Sequence, residues 1–122
     1  MKIINFREQD IPAICKGRKI KTCRKIADFN KFKEGDIVEF KANYSHCSFA
    51  SAIIKKVEKC EDITEEPLEF FKELGYDSKR AYFMENFNQV LETSQRCVIT
   101  FYVFALSLDS YYFQYLTKSR AK

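Results

Sequence analysis

The chain has 122 residues, 46% apolar and 16% aromatic, enough for one core without disulfide or metal staples and too few for two. With 21 basic against 17 acidic residues, the net charge of +4 excludes a polycationic coat and gives weak support for an anionic partner such as a nucleotide or RNA. The longest apolar run, residues 97–108, is interrupted by Thr100 and Ser107 and is too short to span a bilayer, so no membrane partner is expected.

In chain order, residues 1–7 alternate weakly and read as a strand. Arg7, Glu8 and Asp10 arrive before a signal-peptide core could form, so a cytoplasmic location is expected, or a nuclear one in a eukaryotic or viral setting. Asp10 is expected to cap a short helix, with Pro12 in its first turn and Gly17 ending it. Residues 16–25 then hold six basic side chains and no acid. On an extended segment Lys19, Lys21 and Cys23 face one way, and Ile20, Thr22 and Arg24 the other. Lys19 and Thr22 can share a face only if a bulge or turn lies between them. Such a run is either a solvated surface strand or one wall of a pocket for an anionic or carbonyl-bearing ligand.

Residues 30–36 form a turn region punctuated by Gly35-Asp36, and Ile37–Ala42 reads as a strand. A polar loop at 43–48 leads to a partner strand at 49–59, an antiparallel hairpin. Residues 63–74 read as a helix, with Thr64 as cap, Pro67 early, an apolar stripe of Leu68, Phe71 and Leu74, and Gly75 as stop. Ser78 caps a second helix to about Leu91, with Phe83, Phe87, Val90 and Leu91 on one side. Residues 97–106 are apolar on both faces, as in a central buried strand. Residues 1–106 are expected to form the domain. Residues 107–122 form an aromatic and basic tail, packed on it or extending it, whose Tyr111, Tyr112, Phe113 and Tyr115 either stack bases or close a core or subunit contact. The order predicts an α+β fold whose strands curl into a small barrel with helices at its mouth or flank.

Chemistry concentrates at 18–24. Crowded cations depress one another's pKa, and a desolvated lysine falls further, so a lysine here can act as a base near neutral pH. Thr22 supplies a hydroxyl, which needs a neighbouring base to become a nucleophile. Glu73, at a helix end, is a candidate carboxylate partner or simply an exposed charge. The single histidine, His46, removes His-based triads. The five cysteines are scattered with no C-x-x-C pair, and His46-Cys47 fits a loop more simply than a metal site. No metal and no cofactor are expected, and no Walker, Rossmann or G-x-S-x-G pattern occurs.

The run I-P-A-I-C-K-G-R-K-I-K-T-C-R at 11–24, followed by F-K-E-G-D-I-V-E-F at 32–40, resembles the signature of the ASCH domain. The resemblance spans residues 6–104 and implies a small β-barrel related to the PUA fold. The short bacterial proteins similar to N(4)-acetylcytidine amidohydrolase are the most alike, sharing G-R-K-x-x-T-x-R, a helix ending in a glutamate and a final F-Y-V strand. In them a lysine is proton acceptor, a threonine nucleophile and a glutamate proton donor. The resemblance carries these roles to Lys19, Thr22 and Glu73, with Glu69 the other glutamate in reach, and makes Arg18, Lys21 and Arg24 ligand-binding. Ile20 departs from the threonine often found there. The reading that follows is an amidohydrolase acting on an N(4)-acylated cytidine or related modified nucleoside. The alternatives are an RNA-binding or modified-nucleotide-binding module without chemistry and a metal-independent ribonuclease. The sequence leaves monomer and dimer equally open.

Overall fold

Strands form where every second residue is apolar and can be buried. In the computed structural model, which describes residues 2–43 and 48–107, β1 (Lys2–Phe6) buries Ile4 and Phe6, and β3 (Ile37–Ala42) buries Val38, Phe40 and Ala42. β2 (Lys21–Arg24), β4 (Ser48–Cys60) and β5 (Arg96–Leu106) complete one sheet in the order β1-β3-β4-β5-β2. β1 runs parallel to β3, with Ile4 opposite Phe40, and the other neighbours are antiparallel. Register shifts at Phe40/Lys41, Ser51/Ala52 and Ile54/Lys56 bend the long strands. The sheet curls into a half-barrel with β1 and β2 as its two edges, the expected α+β architecture.

Inside the curl, Phe40 meets Phe6 and Phe101 with ring centroids 4.8 Å apart in both pairs, edge to face. A second cluster joins Ile63, Phe71, Leu74 and Tyr82 to Val98 and holds the helices to the sheet.

The helices differ from expectation in instructive ways. α1 (Ile11–Cys15) carries Pro12 in its first turn, and Gly17 follows at φ 78°, but the Asp10 carboxylate accepts from Arg7 and caps nothing. The single helix expected at 63–74 is a 3-10 turn, Ile63–Glu65, capped by Asp62 rather than Thr64, followed by α2 (Leu68–Glu73). Pro67, extended at ψ 165°, separates them because its ring cannot continue the turn before it. The second helix is two, α3 (Lys79–Glu85), capped by Ser78, and α4 (Phe87–Glu92), broken at Asn86. Beyond that break Phe87 and Leu91 are exposed at 59% and 70%, and of the expected stripe only Phe83 and Val90 pack against the second cluster. β5 is buried only in its first half, since Tyr102 and Phe104 face solvent. A 3-10 segment, Ile26–Asn30, occupies a stretch the sequence left unassigned. The tail from 108 onward and the His46-Cys47 pair lie outside the described residues. No helix among the described residues is long and apolar enough to cross a membrane.

Phe40→Ala removes the ring at the centre of the aromatic core. The expected loss is about 3–5 kcal/mol of unfolding free energy by urea denaturation, and a loss under about 1 kcal/mol would contradict the packing described.

Candidate functional site

After α1 the chain turns at Gly17, and the Arg18 and Lys19 amides both donate to the Ala13 carbonyl, at 2.9 and 3.1 Å. Ile20 is then pinned on both sides. Its N–H donates to the Glu73 carbonyl at 2.8 Å, and its carbonyl accepts from Phe101 at 3.0 Å. β2 begins only at Lys21, so Lys19 lies outside the strand and escapes the alternation that would turn it away from Thr22. Gly75 ends α2 at φ 98°, and a Cβ there would stand 3.3 Å from the Lys19 Cβ. The glycine thus serves both the left-handed turn and the close passage of the lysine.

Lys19 is 6% exposed and its ammonium donates to the Leu74 carbonyl at 2.9 Å. Burial pulls its pKa down to about 8; Asp10 opposes this, while Arg24 and Arg7 reinforce it. Thr22, 4% exposed, lines the same cavity of about 430 Å³. The cavity lies at the unclosed seam of the half-barrel, with Asn5 and Phe6 of β1 on one side, Thr22 and Arg24 of β2 on the other, and Tyr76 and Tyr82 from the helical layer.

Arg24 spans the seam. Its guanidinium donates to the Asn5 carbonyl at 2.7 Å and stacks 4.9 Å from the Phe6 ring centroid. Burial works against its charge, and Asp10 and Asp28 oppose that effect. Arg7 is held more firmly charged than an ordinary arginine. Burial opposes this, but Asp10 and the Tyr76 hydroxyl outweigh it, and Glu85 adds a contact at 3.4 Å. The Cys23 thiol, pushed up to about 11 by burial, shares a hydrogen bond with Tyr82 and stays protonated at neutral pH.

Of the residues singled out from sequence, Lys19, Thr22 and Arg24 meet around this cavity. Glu73 does not line it. Its carboxylate sits 3.3 Å from the Lys21 ammonium, which lies over the Phe70 ring. Arg18 is exposed. Sequence reasoning missed Arg96, which lines the cavity at 7% exposure and donates to Gln89 at 3.2 Å. An arginine opening an otherwise apolar strand, with no acid beside it, was the available signal. Among the described residues no three His, Cys, Asp or Glu side chains converge as metal ligands. The arrangement can hold an anion, and it sets a lysine of lowered basicity and a buried hydroxyl around one ligand.

No family model and no curated relative matches the chain by sequence. Solved structures do match by shape. An ASCH domain from Lactobacillus crispatus JV V101 superposes with a TM-score of 0.66 at 13% identity, covering 84% of this chain and 79% of that one. A protein of Enterococcus faecalis V583 gives 0.64 at 15%, covering 96% and 81%. An ASCH protein of Zymomonas mobilis gives 0.60 at 12%, covering 82% and 65%. At such identities the likeness speaks for architecture, and the architecture of this chain is that of the ASCH domain structures.

Proposed function

We propose that the chain is an amidohydrolase that removes an acyl group from the exocyclic amine of an N(4)-acylated cytidine or a related modified nucleoside. The observation that carries this is the burial of Lys19, with a pKa near 8, beside the buried Thr22 on one cavity. The G-R-K-x-x-T-x-R resemblance supports the same pair. Neutral Lys19 takes the Thr22 hydroxyl proton, keeping its bond to Leu74 while its lone pair faces the cavity. The threonine oxygen attacks the acyl carbon, and the C–N bond breaks as the amine is protonated. Lys19, neutral again once its proton has passed to the leaving amine, deprotonates a water that attacks the threonine ester, and that proton returns to the Thr22 oxygen as the acyl group leaves as a carboxylic acid. Arg24 holds the ligand, and Tyr76 and Phe6 offer it aromatic surface. Glu73 is assigned as the donor to the leaving amine, relaying the proton that Lys19 took from Thr22, which requires its carboxylate to part from Lys21 and turn inward. Protein side chains suffice, and no cofactor is invoked. The partner is thus a modified nucleoside or the same base within RNA.

A second reading is binding without turnover. The Lys19–Leu74 hydrogen bond favours it, because that bond gives the ammonium a structural occupation. Conversion of N(4)-acetylcytidine to cytidine, followed by ultraviolet absorbance, separates the two. Wild-type turnover and its loss by at least about 100-fold in Lys19→Met and Thr22→Val are expected, with partial retention in Thr22→Ser. A fully active Lys19→Met would end the mechanism, and tight binding with no turnover would favour the module. Glu73→Gln compared with Lys21→Met tests the donor: loss only in the former is expected. Turnover should rise with pH and level off above about 8, as Lys19 loses its proton.

The same shift has a stability consequence of known sign. Lys19 has a folded pKa near 8 against 10.5 for an exposed lysine, so the unfolded chain binds more protons between those values. The cost of burying the charge is full below about pH 8 and fades as pH rises to 10.5. It amounts to roughly 3 kcal/mol. Lys19→Met removes that cost and orphans the Leu74 carbonyl, at about 1–2 kcal/mol. Thermal melts at pH 7 should therefore show Lys19→Met at least as stable as wild type, with the difference shrinking or reversing near pH 10. A clearly destabilised variant at pH 7 would mean that the lysine is structural.

A further inference from the structure

The Nε–H groups of Arg24 and Arg96 are buried without a hydrogen-bond partner among the described residues. Both arginines line the seam cavity, and Arg96 is 93% buried by its 7% exposure, so bulk water does not make up the missing bond. A buried donor on a charged group left unmet is costly, and folded proteins rarely leave one without a reason. Neither arginine has a carboxylate in ion-pair contact among the described residues, whereas Arg7 on the same cavity has Asp10 and Glu85. The Arg96 fork is held by its bond to Gln89, and that of Arg24 by Asn5 and the Phe6 ring. Both are therefore oriented without being neutralised.

The charges around the cavity point the same way. Five cations and three carboxylates surround it. Asp10 and Glu85 are engaged by Arg7 and Asp28 by Lys31, and Asp10 and Asp28 act on Arg24 only at longer range. Counted over the lining residues alone, the formal excess is two positive charges. A phosphate monoester carries nearly that charge with the opposite sign and three acceptor oxygens, enough to meet two separate guanidinium arms. A diester within a polymer carries one charge and offers only two unesterified oxygens.

We propose that the Arg24–Arg96 end of the seam cavity is a subsite for a dianionic phosphate monoester. The natural ligand is then a nucleoside monophosphate rather than a free nucleoside or an internal residue of RNA. This rests on the nucleoside reading above for the rest of the ligand, and the phosphate subsite stands on its own observations. It also gives Arg96 a positioning role that the basic run at 16–25 does not supply.

The test is calorimetric titration of the full chain at pH 7 with cytidine 5′-monophosphate, cytidine, the dinucleoside monophosphate CpC and inorganic phosphate. The monophosphate is expected to bind at least about 30-fold more tightly than cytidine, the range for charge-assisted hydrogen bonds. Arg96→Gln should bring it to within about 3-fold of cytidine while leaving cytidine affinity unchanged. If Arg96→Gln does not fold by circular dichroism, Arg96→Lys keeps the charge, deletes the Nε donor and should still lose at least about 10-fold. Equal affinity for monophosphate and cytidine, or a variant that weakens both alike, overturns the subsite. CpC binding as tightly as the monophosphate overturns the monoester assignment. Inorganic phosphate that binds and is lost in both Arg96→Lys and Arg24→Gln, with no nucleoside binding at all, upholds the subsite and overturns the cytidine reading. Turnover of N(4)-acetylcytidine with no phosphate contribution does the reverse.

Discussion

One guanidinium bridges what the backbone leaves open. In this sheet β1 and β2 are the edges, and their polar groups do not form a ladder with each other. Arg24 crosses the gap from β2 to the Asn5 carbonyl of β1 and lies against Phe6, the residue that also anchors the aromatic core. A charge-assisted hydrogen bond contributes about 1.5–3 kcal/mol, far less than a run of paired strands. The smaller gain is what makes room: a closed barrel would fill with side chains, whereas a seam spanned at one point leaves a cavity walled by two strands and a helical layer.

The seam also explains why so many cations sit where solvent is scarce. Lys19 is carried there by a segment fixed before and after it. Ala13 accepts from its amide, Glu73 and Phe101 hold Ile20, and Gly75 leaves space beside its stem. The side chain has no freedom to swing out to water, so desolvation lowers its pKa instead. Arg7 answers differently, gathering Asp10, Tyr76 and Glu85 into a network that fastens the 3-10 turn at Glu8–Asp10 and α3 to the end of β1. One cation is satisfied and structural, while Lys19, Arg24 and Arg96 are oriented and incompletely met. That difference in satisfaction, more than the number of charges, separates scaffold from site.

Much of the fold was legible because it depends on local pattern. Ile37–Ala42 alternates cleanly after the Gly35-Asp36 turn, and the strand has those bounds. The helical region was less legible. Periodicity sees 3.6-residue spacing across Pro67 and Asn86, but the chain breaks at both, and past Asn86 only Val90 stays packed while Phe87 and Leu91 face solvent. Asp62 and Thr64 are both competent caps, and which one is used depends on where the preceding strand releases the chain. The paired faces of 19–24 allowed Lys19 and Thr22 to meet only through a turn between them. The chain provides this by starting β2 two residues after Lys19.

Arg96 and Glu73 mark where sequence runs out. The direction of a helix-end carboxylate depends on which cation is nearer in space, and Lys21 reaches Glu73 because Ile20 is hydrogen-bonded to the Glu73 backbone. The same bond keeps the carboxylate adjacent to the segment bearing Lys19 and Thr22, so exchange of its partner needs a side-chain rotation rather than a rearrangement of the fold. Arg96 is invisible for the opposite reason. Four residues of β2 pair with the start of β5, from Arg24 opposite Cys97 to Lys21 opposite Thr100, and this long-range register brings Arg96 beside Arg24. No local rule anticipates a register between strands more than seventy residues apart. Two like charges brought together by such a register repel each other, and the multivalent anion proposed for this subsite would turn that repulsion into binding energy.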